Sequence, residues 1–384
     1  MGGGTCIGML LGARKNEEAN RIGSTAFFSS IALGLLFTLL GLLFLEPLMR
    51  VLGSSNDVLP YAEAYGTWIL IGFAVMSTSL VLSTILRCEG KMDLSMAGIA
   101  TGAVLNMALD PLFIFTLNMG ITGAAVATVL SQTISFGILL FFFLSGRSDV
   151  KLSLKSWQLS ASVYRRILVT GLPSLCRHGV TTFATIALNT AAGMYGGDIL
   201  IAALAIVNKV ITFIQAILKG IFQGAQATFS YNKGAGRYDR VRQAYRYTLT
   251  FNTVLIALIG AVMLFAARWV MGIFTAEAGE ILTVGAFALT VETCSLLVMP
   301  FNFSGNTLLQ SVGEPWKSTL LAALPQGVFY IPCLFILPLW LGADGIIWSF
   351  TAGQALTVLA TLPVVRDYFA RIPAGAVPEQ KTEA

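Results

Sequence analysis

Apolar residues in this chain run in long unbroken stretches joined by short polar connections, not in the alternation of a half-buried strand. Crossing a hydrocarbon layer of roughly 30 Å takes about 20 helical residues, because each adds about 1.5 Å. Ten stretches meet that length: 23–45, 62–86, 94–117, 121–145, 167–195, 199–224, 247–267, 281–309, 318–340 and 344–365. An eleventh, residues 1–11, is too short to span and begins abruptly at Met1. All are predicted to be helices, since an isolated strand leaves its backbone unsatisfied in lipid. The alternating ten-residue segments of a membrane barrel are absent. The pattern therefore predicts an all-α integral membrane protein with ten complete transmembrane helices plus a partial one.

Composition agrees. Of 384 residues, 56% are hydrophobic and 11% charged, too little charge to cover a soluble protein of this size. Cys6, Cys88, Cys176, Cys294 and Cys333 are scattered without ligand spacing and read as small apolar packing residues. Residues 1–11 lack the basic start of a signal peptide. The basic residues are distributed unevenly. If successive helices alternate direction, one set of connections carries nineteen Lys and Arg, and the opposite set only Arg50 and Arg268. The positive-inside rule places the first set, and the C-terminal tail with it, in the cytoplasm. The net charge of +5 is then mostly a topology signal, with no reason to invoke nucleic acid.

The chain also repeats itself. Gly120-Ile-Thr-Gly123, followed by Gln132, recurs as Gly342-Ala-Asp-Gly345 and Gln354, an offset of 222. Gly12 and Gly234 share that offset, and Gly90 and Gly313 differ from it by one. Matched loops fall on the same predicted side, as expected for a parallel repeat about an axis along the membrane normal. The expected organisation is an N-terminal lobe at 1–145, a cytoplasmic inter-lobe linker at 146–166, a C-terminal lobe at 167–366 and a cytoplasmic tail at 367–384. Extending the offset backwards predicts roughly 58 residues before Met1, enough for one helix and part of another. Two pseudo-symmetric bundles of six helices each would then make up the intact protein.

Several motifs fit one family in order along the chain. They are Gly2-Gly-Gly-Thr5 with Leu11-Gly-Ala13, Arg87-Cys-Glu-Gly-Lys91, Asn106-Met-Ala-Leu-Asp-Pro-Leu-Phe-Ile-Phe115 and Gly123-Ala-Ala-Val-Ala-Thr128. Gly171-Leu-Pro-Ser-Leu-Cys-Arg177, Gln223-Gly-Ala-Gln226, Tyr231-Asn-Lys-Gly-Ala235 and Gln310-Ser-Val-Gly313 continue the series. In these the chain resembles the multidrug and toxic compound extrusion (MATE) family of secondary antiporters. The resemblance implies two six-helix lobes in the cell membrane that export small organic, often cationic, compounds. Export is exchanged for H⁺ or Na⁺ by alternating access. It implies no enzymatic cofactor, and a monomer.

Charged groups within spanning segments are costly and hence candidates for function. Asn106 and Asp110 stand four residues apart on one helix face. Asp110 is about 9 Å below the predicted outer end of its segment, Thr128 about 10 Å and Tyr65 about 5 Å. The four are expected to meet as one polar cluster. Its Asp could hold Na⁺ through oxygen ligands, or a proton if desolvated. In some members of the family a Tyr, an Asn, an Asp and a Thr at similar places form such a site, together with an Asp on the first helix, which this sequence lacks. A plainer alternative is that Asp110, beside Pro111, caps a kinked helix while Asn106 satisfies freed backbone groups.

In the second half Arg177 and His178, Lys209 and Glu292 lie within spanning segments. Matched depths of about 15 Å suggest that Glu292 pairs with Lys209 or Arg177. His178 is a possible pH-sensitive group, or simply hydrogen-bonded. Lys219 is expected to snorkel to the inner interface. Asn302, Asn306 and Gln310 recur at four-residue steps and either line a central cleft or bond neighbouring helices. Met194, Phe213, Phe222, Phe301 and Phe303 line an apolar cavity or serve as packing.

Two other functions compete. A flippase for lipid-linked oligosaccharide or peptidoglycan precursors, from the wider superfamily, would want a cavity rich in Arg and Lys, whereas only three basic residues fall within helices. An enzyme or ATP-driven pump is disfavoured, because the chain has no GxxxxGK[ST] loop and no HExxH. An inactive fragment is the remaining alternative.

Overall fold

A computed structural model describes residues 1–52, 54–274 and 279–372, and every regular element among them is helical. Internal packing divides the chain into two units, Met1–Leu168 and Val169–Ala384. The first holds α1 (Gly2–Gly12), α2 (Asn16–Leu43), α3 (Leu45–Val51), α4 (Leu59–Cys88), α5 (Met92–Pro111) and α6 (Gly120–Leu144). The second starts inside α7 (Ala161–Gly234) and continues through α8 (Tyr238–Phe274), α9 (Glu280–Leu296), α10 (Met299–Ser311), α11 (Pro315–Ala323), α12 (Tyr330–Ile336), α13 (Pro338–Leu341) and α14 (Ala343–Arg371). The expected tail beyond residue 372 lies outside the described residues.

Among the described residues, eight helices are long and apolar enough to cross a bilayer by length and composition. A ninth span results if α9 and α10, bent by 47° where they meet, are taken together. The 74-residue α7 is interrupted at Gly197, whose φ of 58° and ψ of −155° are not helical. That break coincides with the gap between the segments 167–195 and 199–224.

The helix ends show the internal repeat more sharply than the sequence does. After α4 the amide of Lys91 donates to the Leu86 carbonyl at 2.9 Å and that of Gly90 to Arg87 at 3.0 Å, with Gly90 at φ 86°. This is the Schellman stop, which satisfies the last carbonyls by turning one residue left-handed. The end of α10 resembles it, with Gly313 at φ 83° and Glu314 N–H on Leu309 at 3.0 Å. The same stop closes α1 and α7. Arg14 (φ 60°) carries the chain so that Lys15 N–H reaches Leu10, and Gly236 (φ 69°) so that Arg237 N–H reaches Asn232, both at 2.9 Å. Arg14 and Gly236 differ by 222 in number, as do Gly120 and Gly342, which enter α6 and α14 at φ 54° and 58°.

Within the first unit Cys6, Ile7, Ile22, Phe27, Leu82, Leu86 and Leu139 form the core. Small hydroxyls let helices approach and bond: Ser83 and Ser95 Oγ are 2.9 Å apart, and Ser135 Oγ donates to the Gly98 carbonyl at 2.8 Å. The connection 146–166, expected as an inter-lobe linker, is docked on this unit. The carboxylate of Glu89, its side chain fully buried, accepts from Ser148 Oγ at 2.7 Å and from the amides of Asp149 and Val150 at 3.1 Å. Asn20 Oδ1 accepts from Lys151 N–H at 2.8 Å and Ser24 Oγ from Ser153 N–H at 3.1 Å. Burial pushes the Glu89 carboxyl above the usual carboxylate range, against the opposing pull of Ser148, the two amides and Lys91.

In the second unit one core gathers around Leu200, Val207, Ile211, Leu218, Phe222, Met271, Leu289 and Leu334. A smaller one lies around Phe229, Val241, Leu308, Leu309 and Tyr368.

Two expectations follow for thermal unfolding of the purified chain in detergent. A methyl on Gly236 meets nothing within 4 Å, so Gly236→Ala costs only the left-handed backbone penalty, about 1 kcal/mol. A methyl on Gly345 would stand 2.5 Å from the backbone of Leu337 and Pro338, so Gly345→Ala costs more. Equal midpoints for the two variants would contradict this packing. The second expectation concerns Glu89. Since its folded titration lies above its unfolded one, the folded chain binds the proton more tightly, and the stability contributed by this group falls as pH rises through and above the ordinary carboxylate range. Glu89→Gln should remove that slope. It should also lower stability by roughly 1–3 kcal/mol, because an amide N–H₂ then faces backbone donors. A variant that retains the slope would exonerate Glu89.

Candidate functional site

The C-terminal end of α5 builds the polar cluster in the first unit. Pro111 has no N–H, so the carbonyl four residues earlier loses its helical donor, and the chain passes into a π turn over Leu112–Thr116 closed by Leu117 N–H on Leu112 at 3.0 Å. Just before this distortion, Asn106 Nδ2 donates to Asp110 Oδ1 at 3.1 Å and to Thr128 Oγ1 on α6 at 3.4 Å. Thr128 Oγ1 gives its own proton to the Ala124 carbonyl at 2.9 Å, which leaves its lone pairs toward Asn106. All three side chains are half-buried.

The structure thus brings together three of the four residues expected to meet. Tyr65 is 38% exposed and, among the described residues, forms no hydrogen bond with the other three. The plainer alternative for Asp110 is not what the geometry shows. Among the described residues the Asp110 side chain accepts a hydrogen bond from Asn106 and from no backbone amide, and Asn106 gives its amide hydrogens to side-chain oxygens. Asp110 forms no ion pair among the described residues. The cluster offers a carboxyl group and a hydroxyl joined through the Asn106 amide: hard oxygen donors suited to a small monovalent cation or a proton.

The second unit is arranged differently. The expected pairing of Glu292 with Lys209 or Arg177 is not formed among the described residues. Equal depth does not fix the face of a helix: Glu292 is 5% exposed, whereas Lys209 lies on an exposed face of α7. Arg177 Nη2 instead donates to Asn306 Oδ1 at 2.9 Å and approaches Gln310 Oε1 at 3.5 Å. Asn302, Asn306 and Gln310 are all buried and bonded. Asn302 Nδ2 reaches Gln354 Oε1 at 2.8 Å, Asn306 Nδ2 the Ser318 carbonyl at 2.7 Å, and Gln310 Nε2 Ser174 Oγ at 2.9 Å. Of their two expected roles, they fill that of interhelical partners.

His178 is exposed, and so are Met194 and Phe213, whereas Phe222 is buried and stacks on Phe303 with centroids 6.4 Å apart. Lys219, expected to snorkel, is half-buried. The helix continues to Gly234, ten residues past the apolar segment, and the ammonium lies 5.8 Å over the Phe303 ring. Sequence reasoning missed this because it ended the helix where hydropathy fell. Gln223-Gly-Ala-Gln226 and the residues after it carry no helix breaker before Gly234, which was the available signal.

Comparison with known proteins places this geometry in context. The multidrug export protein MepA of Staphylococcus aureus (strain NCTC 8325 / PS 47) is 26% identical over 365 residues, covering 95% of this chain and 80% of that protein. MepA of Staphylococcus haemolyticus (strain JCSC1435) matches to the same extent. Among solved structures, a multidrug resistance MATE family transporter of the MOP superfamily in its outward-facing conformation superposes with a TM-score of 0.92 at 24% identity. That match covers 97% of this chain and 83% of that one. A MOP superfamily transporter from Pyrococcus furiosus, for which reversed polarity of the binding pocket suggests a different function, gives 0.92 at 23% identity over 97% and 84%. These likenesses show the fold. The MatE family model matches residues 1–112 and 173–336, well over half of the sequence. This chain is a multi-pass membrane protein of the MatE family, whose members are transporters and not enzymes.

Proposed function

We propose that the chain exports small organic compounds across the plasma membrane in exchange for H⁺ or Na⁺. The observation that carries this reading is the Asn106–Asp110–Thr128 cluster, a carboxylate without a basic partner among the described residues, set in apolar helices beside a proline-induced π turn. A charge kept at such a cost needs a use, and a mobile cation is the smallest group that relieves it. The names of the MepA relatives support drug export, and the basic connections support a cytoplasmic C-terminus.

The chain's residues divide the work as follows. Asp110 supplies the charge that takes up the coupling ion, Asn106 orients that carboxylate, and Thr128 adds a neutral oxygen from the next helix. Uptake removes the net charge from the cluster and with it the electrostatic penalty for exchanging its surroundings, which lets access alternate between the two sides. Cation and drug then oppose each other through one coupling free energy that acts equally in both directions.

Dye efflux from cells, with a Na⁺ or a pH gradient imposed in turn, tests this. Asp110→Asn should lower gradient-driven efflux at least about tenfold, the equivalent of about 1.4 kcal/mol, at unchanged expression. Efflux at the wild-type rate from that variant would refute the site. Thr128→Val separates the two ions: with Na⁺ as the coupling ion, loss of one oxygen ligand should raise the half-saturating Na⁺ concentration several-fold, on the order of 1 kcal/mol. With H⁺ as the coupling ion, the variant should follow the pH gradient as the wild type does.

A further inference from the structure

Arg177 and Lys219 in the second unit form a cationic pair without a counter-ion. Both side chains are half-buried, and both meet the same stretch of α10: Arg177 bonds Asn306 at 2.9 Å, and the Lys219 ammonium lies 5.8 Å over Phe303, three residues earlier. Among the described residues neither forms a salt bridge. Arg177 places one nitrogen, Nη2, on the neutral oxygens of Asn306 and Gln310, and its Nε and Nη1 donate to no described residue. Lys219 has only the face of Phe303. Glu292, a buried acid of this unit, forms no ion pair with either cation among the described residues.

Two cations seated about one helical turn apart on α10 repel, and water is the usual remedy on a surface. Here they are inside an apolar helical unit, where removing water makes the repulsion costlier. The amide frame around Arg177 is itself held in place. Asn306 is tied to Ser318, and Gln310 to Ser174, so the guanidinium is presented in a fixed direction with open donors. A planar guanidinium fork with free N–H groups beside a flexible ammonium is the donor set that takes a carboxylate. Phe303, stacked on Phe222 and lying under the ammonium, adds an aromatic face within reach of the same group.

We propose that the second unit binds the carboxylate of an amphiphilic aromatic anion or zwitterion between Arg177 and Lys219, with its ring system against Phe303. The substrates of this transporter would then be acids and zwitterions, selected by a negative group, and not lipophilic cations alone. This deepens the export reading and rests on it only in calling the ligand a substrate.

A matched pair of dyes tests the idea: a rhodamine bearing a free carboxylate, and the same rhodamine as its methyl ester. Binding of each to the purified full chain in phosphatidylcholine nanodiscs is followed by fluorescence anisotropy without any gradient. The wild type should bind the carboxylate form about tenfold more tightly than the ester. Arg177→Gln and Lys219→Met should each bring that ratio close to one, and Arg177→Lys should leave it intermediate. A wild type that binds the ester as tightly as the acid, or a ratio that survives Arg177→Gln, overturns the proposal. So does loss of the preference when phosphatidylglycerol replaces phosphatidylcholine, which would assign the cations to lipid head groups. Transport of the same dyes into everted vesicles separates this proposal from the export reading. Discriminating binding with no movement of either dye under H⁺ or Na⁺ gradients defeats export and leaves the anion site standing. Export of the ester without discrimination does the reverse.

Discussion

Hydrocarbon offers no hydrogen bonds, and nearly every feature of this chain can be traced to that condition. Backbone groups must be satisfied within the segment that carries them, so the spans are helices. Where a helix stops, its last carbonyls still need donors, and the same left-handed turn provides them after α1, α4, α7 and α10. Where Pro111 removes a donor, the backbone shifts its register into a π turn instead of leaving a gap, and the polar cluster forms beside that irregularity. Side chains obey the same condition. Thr128, Ser135 and Ser349 each return a hydroxyl hydrogen to a carbonyl, on their own or a neighbouring helix.

The two units solve the problem of interior charge differently. In its spanning helices the first unit sets the carboxylate of Asp110 against one amide and one hydroxyl, and it buries a second carboxylate, Glu89, under the connection 146–166. The second frames Arg177 with neutral amides, seats Lys219 over an aromatic ring, and forms no ion pair between either and its buried acid among the described residues. The units share helix stops and turns at offsets of 222 or 223, whereas their interior polar side chains differ. A scaffold fixed by main-chain bonding leaves side-chain polarity free to change.

Much of the fold was legible because hydrophobic length and glycine placement are strong, local signals. The apolar stretches, the break near residue 197 and the repeat of Gly120 at Gly342 all follow from composition along the chain. Asn106 and Asp110 were legible as a pair because four-residue spacing fixes a shared face. What failed was rotation about helix axes. Depth can be counted from a helix end, but Glu292 and Lys209 at matching depth face different surroundings. Tyr65, placed near the cluster by depth, makes no bond to it for the same reason. The end of the segment at residue 224 was set too early because α7 stays helical after hydropathy falls. The docking of 146–166 had no periodic signal at all, since it depends on single side chains of α2 and on the carboxylate just after α4.

That docking bears on how the protein is made. The partners that hold 146–166 in place, Asn20, Ser24, Thr25 and Glu89, all precede it in the chain. Each bond can therefore close as soon as the segment leaves the ribosome, with no residue after 168 required. Translation order and contact order coincide, so the first bundle can reach its finished form while the second is still being inserted.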